Sequence, residues 1–555
     1  MATTTPFQYT SRLAAGEIRL LSLIRSTNPD SPLRFRLSTT RLSAETPDTP
    51  SPPPPPPYIA LSYVWGSEDD PLPILILQEG SDNMPPAQLL ITRNLHSALH
   101  HLSRHELPSL PIWADAVCIN QSDAVEKTSQ IARMADVYRR AERVIVFLGE
   151  TSPTVDRVVP QLDRVGRKVY AAGAMMLKEA DLVRWPSFEG CEWREEKVEV
   201  RKRLEAIIDG ERGGLMPVLG RKPGVDCNAA LDLFHRPWFA RAWVVQEICM
   251  ASAERDGVVV FAVGGTRIIW EQLWGGHMFL VLWLLKEGKA IGDAETLVGK
   301  LLKLGVFIRR TRMIPRGFSS RASATLGMRK KFLQGDLNRS LKSLLTILYT
   351  GDMSNPLGCK YPEDKIGAIR SLANDGDFLD AVLKPGVSWQ AVYVSLAREL
   401  YRRGNLDFLS LCRQRSPTLP SWVTDWSHQQ RPPWLGYKTG DASQLFDAGK
   451  GTAAQVYDDE SDDKILCLRG FIVDTIQEVG SEWTSHLDEA FNWESAKLRI
   501  IEIDRFRSLS RRYSPAETAA ARWRIIVADR EANDLGQNVR ATEAARESFA
   551  KPPGS

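Results

Sequence analysis

Apolar runs that stop abruptly at polar residues recur through the first half of the chain. Tyr58-Ile-Ala-Leu-Ser-Tyr-Val-Trp-Gly66 is one, and Ile112-Trp-Ala-Asp-Ala-Val-Cys-Ile-Asn-Gln121 is another. A buried strand with a polar C-terminal tip has this pattern, and ligands of open α/β sheets sit at such tips. The periodicity predicts a strand over 58–64, a helix over 92–104, a strand over 112–118, a helix over 123–141 and a strand over 143–148. This alternation gives a parallel sheet with crossover helices. Upstream, Glu17–Ile24 and Leu33–Leu37 read as two short strands about an Asn-Pro-Asp-Ser turn. Downstream, a helix opens at Pro237 and sets Phe239, Trp243, Gln246 and Met250 on one face. A strand at Val258–Val263 follows it.

The remaining segments divide the chain. Residues 1–57 hold the N-terminal strands and a run of six prolines, Pro52 to Pro57, which reads as a stiff exposed loop. Residues 58–275 form the main domain, with a charged, irregular insertion at about 150–230. Residues 276–334 read as a helical and basic linker. Its apolar run Met278–Leu285 is a buried helix segment, too short to cross a bilayer, and no membrane span is expected. From Arg309 to Lys331 there are eight basic residues and no acidic one, read as a solvated linker. Residues 335–555 form a mixed α+β region with a strand at Ile465–Ile472 and a charged helical tail.

Composition narrows the function. With 555 residues the chain is long enough for several cores. Lys plus Arg less Asp plus Glu is 71 − 68 = +3, so no nucleic-acid partner is expected. The seven scattered cysteines show no Cys-x-x-Cys pair, and no secretory signal opens the chain, so a reduced, cytoplasmic protein is expected. No Walker-type loop and no strand-linked Gly-x-Gly-x-x-Gly is present.

Five blocks resemble those of the fungal heterokaryon incompatibility (HET) domain, in order and spacing. They are Ala60-Leu-Ser-Tyr-Val-Trp-Gly66, Trp113-Ala-Asp-Ala-Val-Cys-Ile-Asn-Gln121, the Glu126…Gln130…Met134…Tyr138…Ala141 helix, Val144-Ile-Val-Phe-Leu-Gly149 and Arg241-Ala-Trp-Val-Val-Gln-Glu247. Pro362-Glu-Asp-Lys-Ile-Gly-Ala-Ile369 and Leu419-Pro-Ser-Trp-Val-Thr-Asp-Trp426 resemble segments that follow such domains. The chain departs from the family with Trp113-Ala-Asp for Trp-Ile-Asp, Tyr361-Pro-Glu-Asp for Asp-Pro-Arg-Asp, and the proline run. The resemblance implies a TIR-like, flavodoxin-like parallel sheet with helices on both faces. It implies a signalling and interaction protein in non-self recognition and programmed cell death, with protein partners and self-association. By a remote analogy with TIR domains it also implies an alternative, an NAD-cleaving hydrolase that uses one glutamate, with NAD as substrate and no established cofactor. A degenerate member without activity is the other alternative.

Cleavage of a nicotinamide–ribose bond passes through an oxocarbenium-like state that a carboxylate can stabilise. Glu126 and Glu247 are the candidate catalytic residues. Glu126, Gln130 and Arg133 share one helix face beyond the Asn120-Gln121 tip. The competing reading is a helix cap, because Asp123-x-x-Glu126 has capping-box spacing. Glu247 lies among apolar residues and needs a partner such as Arg241 or Arg236, so a structural ion pair competes with a functional role. Ser62, Trp65, Gly66, Asp115, Asn120, Gln121, Gln130, Arg133, Trp243 and Gln246 are the candidate ligand-binding residues. Asp115 is expected in mid-strand. Cys118 reads as a small buried thiol, and no metal site is expected from His101 and His105.

Overall fold

A computed structural model describes most of residues 5–430, with its longer interruptions at 43–54 and 293–320, and only short pieces beyond 430. Nine strands form one sheet: β1 (Glu17–Leu23), β2 (Arg34–Arg41), β3 (Ile59–Tyr63), β4 (Leu72–Gln78), β5 (Ala87–Ile91), β6 (Ile112–Trp113), β7 (Arg143–Phe147), β8 (Val259–Val263) and β9 (Thr266–Ile269). Their order across the sheet is β9-β8-β7-β3-β6-β1-β2-β4-β5. The β8-β7-β3-β6 centre is parallel, in the register Ser62↔Val146 and Ala60↔Trp113. Every residue of β3 and of β8 is buried, so both faces of this centre are covered.

The sheet is nevertheless mixed, which corrects the expectation of a parallel one. The N-terminal hairpin β1–β2 joins β6 antiparallel through Leu21↔Ile112, and β4–β5 extends the wing. On the other side β9 returns antiparallel to β8. An α/β class therefore holds, with antiparallel strands added at both ends of a parallel core.

Three further expectations change. The apolar run at 112–118 is not one strand: after Trp113 the chain turns into a one-turn helix, α2 (Asp115–Cys118), as Val117 and Cys118 N–H donate to Ala114 O. The helix expected from Pro237 is broken. A 3₁₀ turn at Pro237–Ala240 ends where 240–242 pair with Gly358, and helix α5 runs only over Trp243–Met250. The supposed insertion supplies α4 (Pro153–Ala171), which packs along α6 (Trp270–Gly292), the helix that holds Met278–Leu285. α1 (Arg93–His105) and α3 (Ala124–Arg140) match their predicted spans closely.

The basic stretch also divides. Residues 309–320 lie outside the described residues, but 321–331 belong to a packed helix, α7 (Arg321–Leu333), rather than to a solvated linker. Downstream, α8 (Leu341–Tyr349), α9 (Asp364–Arg370) and α10 (Trp389–Arg402) build a helical body with buried Leu344, Leu345, Ile366, Ile369, Tyr393 and Trp426. Of the strand expected at 465–472, Leu466–Leu468 is present and pairs with Val456–Asp458; most of the tail and Pro52–Pro54 lie outside the described residues.

Glycine sets the α4–α6 contact. A Cβ on Gly166 would stand 1.8 Å from Gln272 O, and one on Gly275 would stand 2.4 Å from Gly166 O. Backbone faces backbone there, so no rotamer change relieves the clash. Gly166→Ala is expected to lower stability by roughly 3 kcal/mol through forced separation of the two helices, read as a fall in the thermal midpoint. An unchanged midpoint would show that the two helices do not meet at this position.

Candidate functional site

Because β3, β6 and β7 run parallel, their C-terminal ends lie together. The chain leaving β3 carries Val64, Trp65 and Gly66; the chain leaving β6 carries Asp115. Gly66 is exposed and takes φ 77°, a left-handed conformation that suits glycine and turns the chain at the rim. Trp65 is half-buried, and its indole N–H donates to Asp115 Oδ2 at 2.8 Å. Asp115 also accepts from Ala116 N at 2.8 Å, and Gln121 reaches back to Asp115 O at 3.0 Å. Asp115 thus opens α2 instead of sitting in mid-strand, and it remains partly exposed.

Behind this rim lies a buried network. Ser62 donates to Glu247 and accepts from the Trp238 indole N–H at 2.7 Å. Glu247 is 3% exposed. The expected ion pair is not formed: Arg241 donates to Tyr63 O, and Arg236 donates to Leu148 O and Glu150 O. Burial pushes the Glu247 carboxyl up to about 7, aided by the charge of Asp115 and opposed by the charge of Arg241 and the Ser62 hydroxyl. Burial, together with Asp115, likewise holds Tyr63 well above the usual phenol range. Gln246 is buried beside Glu247, and neither of its amide atoms has a partner among the described residues.

Glu126 belongs to a second network. Arg19 grips it through both guanidinium nitrogens, at 2.6 and 3.1 Å; Asn120 N–H donates to it at 2.8 Å and Leu13 N–H at 3.2 Å. Burial raises the carboxyl, but Arg19 and the two backbone donors outweigh it and hold its pKa below the ordinary glutamate value. The helix cap is Asp123, which accepts from Val125 N and Glu126 N. The capping box is therefore half made, since Glu126 turns to Arg19. Gln130, one turn on, donates to Glu17 O at 2.9 Å, and Arg133 is partly exposed. Asn120 is engaged with Ser122 through its side chain.

The structure thus brings Ser62, Trp65, Asp115 and Glu247 to one end of the parallel strands, while Glu126 and Gln130 face the N-terminal hairpin. Trp243 is covered by the downstream body. Its indole lies beside the Asp364 carboxyl, and its ring lies over Gly367. Burial, then the neighbouring Glu363, raises Asp364 to about 6. The Cys118 thiol is pushed up to about 12 by burial, so it is no nucleophile near neutral pH. His101 meets Glu150 at 3.0 Å. Sequence reasoning missed Arg19, Trp238 and Arg329. Arg19 had a signal, a charge inside the apolar run Ile18-Arg-Leu-Leu21.

Residues 58–247 match the family model for heterokaryon incompatibility protein (HET). The chain carries a HET domain over these residues. Over 511 residues, 85% of this chain and 69% of the relative, it is 25% identical to heterokaryon incompatibility protein 6, OR allele, of Neurospora crassa. No solved structure matches it.

Two outcomes follow for the carboxylates. Arg19→Ala leaves Glu126 buried and uncompensated and is expected to cost roughly 3–5 kcal/mol in unfolding free energy. A loss near zero would mean that the pair is solvated. Glu247 has a folded pKa of about 7 against 4.5 for the free side chain, so the folded state binds the extra proton. Its contribution is full below pH 4.5 and is lost as pH rises through 7, by roughly 2–4 kcal/mol. Denaturation at pH 5 and pH 8 measures this, and Glu247→Gln is expected to shrink the difference by that amount, leaving the part that Asp364 supplies.

Proposed function

We propose that this protein acts in fungal incompatibility signalling, as a module of non-self recognition that leads to cell death. One observation carries the reading: similarity to an incompatibility protein runs over 85% of the chain. It therefore reaches beyond the HET block into the downstream body. Its partners are proteins, and self-association is part of the proposal. Among the described residues no helix is long and apolar enough to cross a membrane. We place its action in the cytoplasm, where the free cysteines of the described residues would stay reduced.

The geometry favours contact-borne signalling over turnover. Glu126 is saturated by four donors, and Glu247 is enclosed behind Ser62 and Trp238. Both carboxylates are buried. The four-strand parallel core is the part of the fold that a kinship with TIR domains would rest on. An NAD-cleaving site would have to use the partly exposed Asp115 or open the buried network.

Induced expression of the full chain in a fungal host is expected to lower viability. The purified protein, held at high concentration to allow self-association, is expected to leave NAD intact, with Glu126→Gln and Glu247→Gln no different from the parent. NAD turnover that disappears in one of these folded variants would make the protein an enzyme and name its carboxylate. Unchanged viability on expression would count against the signalling reading.

A further inference from the structure

Residues 357–367 touch the HET block on one side and the downstream body on the other. Toward the block, Ala242 N–H donates to Gly358 O at 2.9 Å and Gly358 N–H to Ala240 O at 2.6 Å, a parallel bridge. Trp243 lies beside Asp364, and a Cβ on Gly367 would stand 3.1 Å from its ring. At the rim Lys360 pairs with Glu68, from the turn after Gly66, at 2.9 Å. Both side chains are more than half exposed. The ammonium groups of Lys127 and Lys360 lie 5.4 and 5.7 Å from the centre of the exposed Tyr361 ring.

Toward the downstream body the contacts are of another kind. Tyr349 donates to Lys365 O at 2.7 Å, and Tyr393 donates to Pro362 O at 2.8 Å. Leu357, Ile366 and Ile369 are fully buried. Exposed ion pairs and rim cation–ring contacts are screened by water and contribute little, whereas buried hydrogen bonds and apolar side chains hold. The segment is therefore built into the downstream body and only seated on the block.

We propose that residues 357–367 are a release strap. They move with the downstream body, so a protein partner that displaces that body uncovers Trp243, Arg241 and the strand-tip rim while the parallel core stays folded. The strap covers two residues of the family block, and beyond the Arg241–Gly358 bridge and the Trp243 contact its outer contacts are exposed ones that water competes for. Its signalling meaning rests on the function proposed above; the release itself does not.

Hydrogen exchange on the full chain tests the release. The amides of Ala242 and Gly358 are expected to exchange together, about tenfold or more faster than those of Ile59–Tyr63 and Arg143–Phe147, as a local opening below global unfolding. Gly367→Leu, which wedges the strap from Trp243, is expected to widen the gap. A cysteine pair from Arg241→Cys and Gly358→Cys joins bridge-paired positions and is expected to close it until reduced. Exchange of the two amides at the rate of the core strands overturns the strap. So does acceleration of the core strands along with it in Gly367→Leu, and the parent protein alone decides if that variant does not fold. Expression separates the two ideas. A released strap in Gly367→Leu with unchanged viability counts against the signalling reading and leaves the strap standing. A strap that never opens, in a parent chain that lowers viability, counts against the strap alone.

Discussion

The buried pair between Arg19 and Glu126 is the constraint on which the rest of the architecture hangs. Among the described residues β1 pairs with the parallel core at the single position Leu21↔Ile112, because β6 is two residues long. So short a ladder cannot fix a four-strand wing. The ion pair supplies the attachment. Withdrawing two charges from water is costly and is offset only when their remaining hydrogen-bonding capacity is used. Arg19 spends its other bonds on Cys118 O and Ser11 O and lies against the Tyr9 ring, 4.7 Å from its centre. Glu126 takes Asn120 N–H and Leu13 N–H. Hairpin, strand-tip turn, α3 and the chain before β1 are thereby fixed to one another.

A comparable role on the opposite side falls to α5. Its C-terminal carbonyls receive Arg329, which donates to Ile248 O, to Ala251 O at 3.1 Å and to Ser252 O at 3.2 Å. Its interior face reaches β3 through Glu247 and Ser62, and its first residue meets α9. This short helix therefore joins the sheet, α7 and the downstream body, although its own eight residues carry little intrinsic helical stability. Among the described residues the buried Arg329 has no acidic hydrogen-bond partner; carbonyl oxygens at a helix end accept its charge, which is favourable to a cation there.

Much of this was legible in the sequence where a pattern was long and local. α3 and the strands β3 and β7 are written in their periodicity, and the polar tips at Trp65 and Asp115 do meet at one sheet end. What was not legible depended on contacts distant in sequence. Ile112–Cys118 is apolar enough for a strand, and only the bonds from Val117 and Cys118 to Ala114 turn it into helix. Pro237–Met250 has an unbroken helical pattern, yet pairing with Gly358, more than a hundred residues on, interrupts it. The partner of Glu247 was sought among nearby arginines, but these turned to backbone carbonyls and a serine from β3 took their place. Antiparallel wings on a parallel core were invisible because hairpins and crossover strands share one local signal.

The boundaries of the family block have a consequence for how such chains can be recombined. A segment cut at 58 and 247 carries the Glu126 carboxylate without Arg19 and the Ala240–Ala242 backbone without Gly358, and it severs α5 before the carbonyls that receive Arg329. Exchanging the block between two proteins thus transplants one side of these contacts and leaves the other behind. A functional chimera has to move the N-terminal hairpin and the stretch through α9 as well, and substitutions at Glu126 have to be matched by substitutions at Arg19. The unit of inheritance is wider than the unit of sequence likeness.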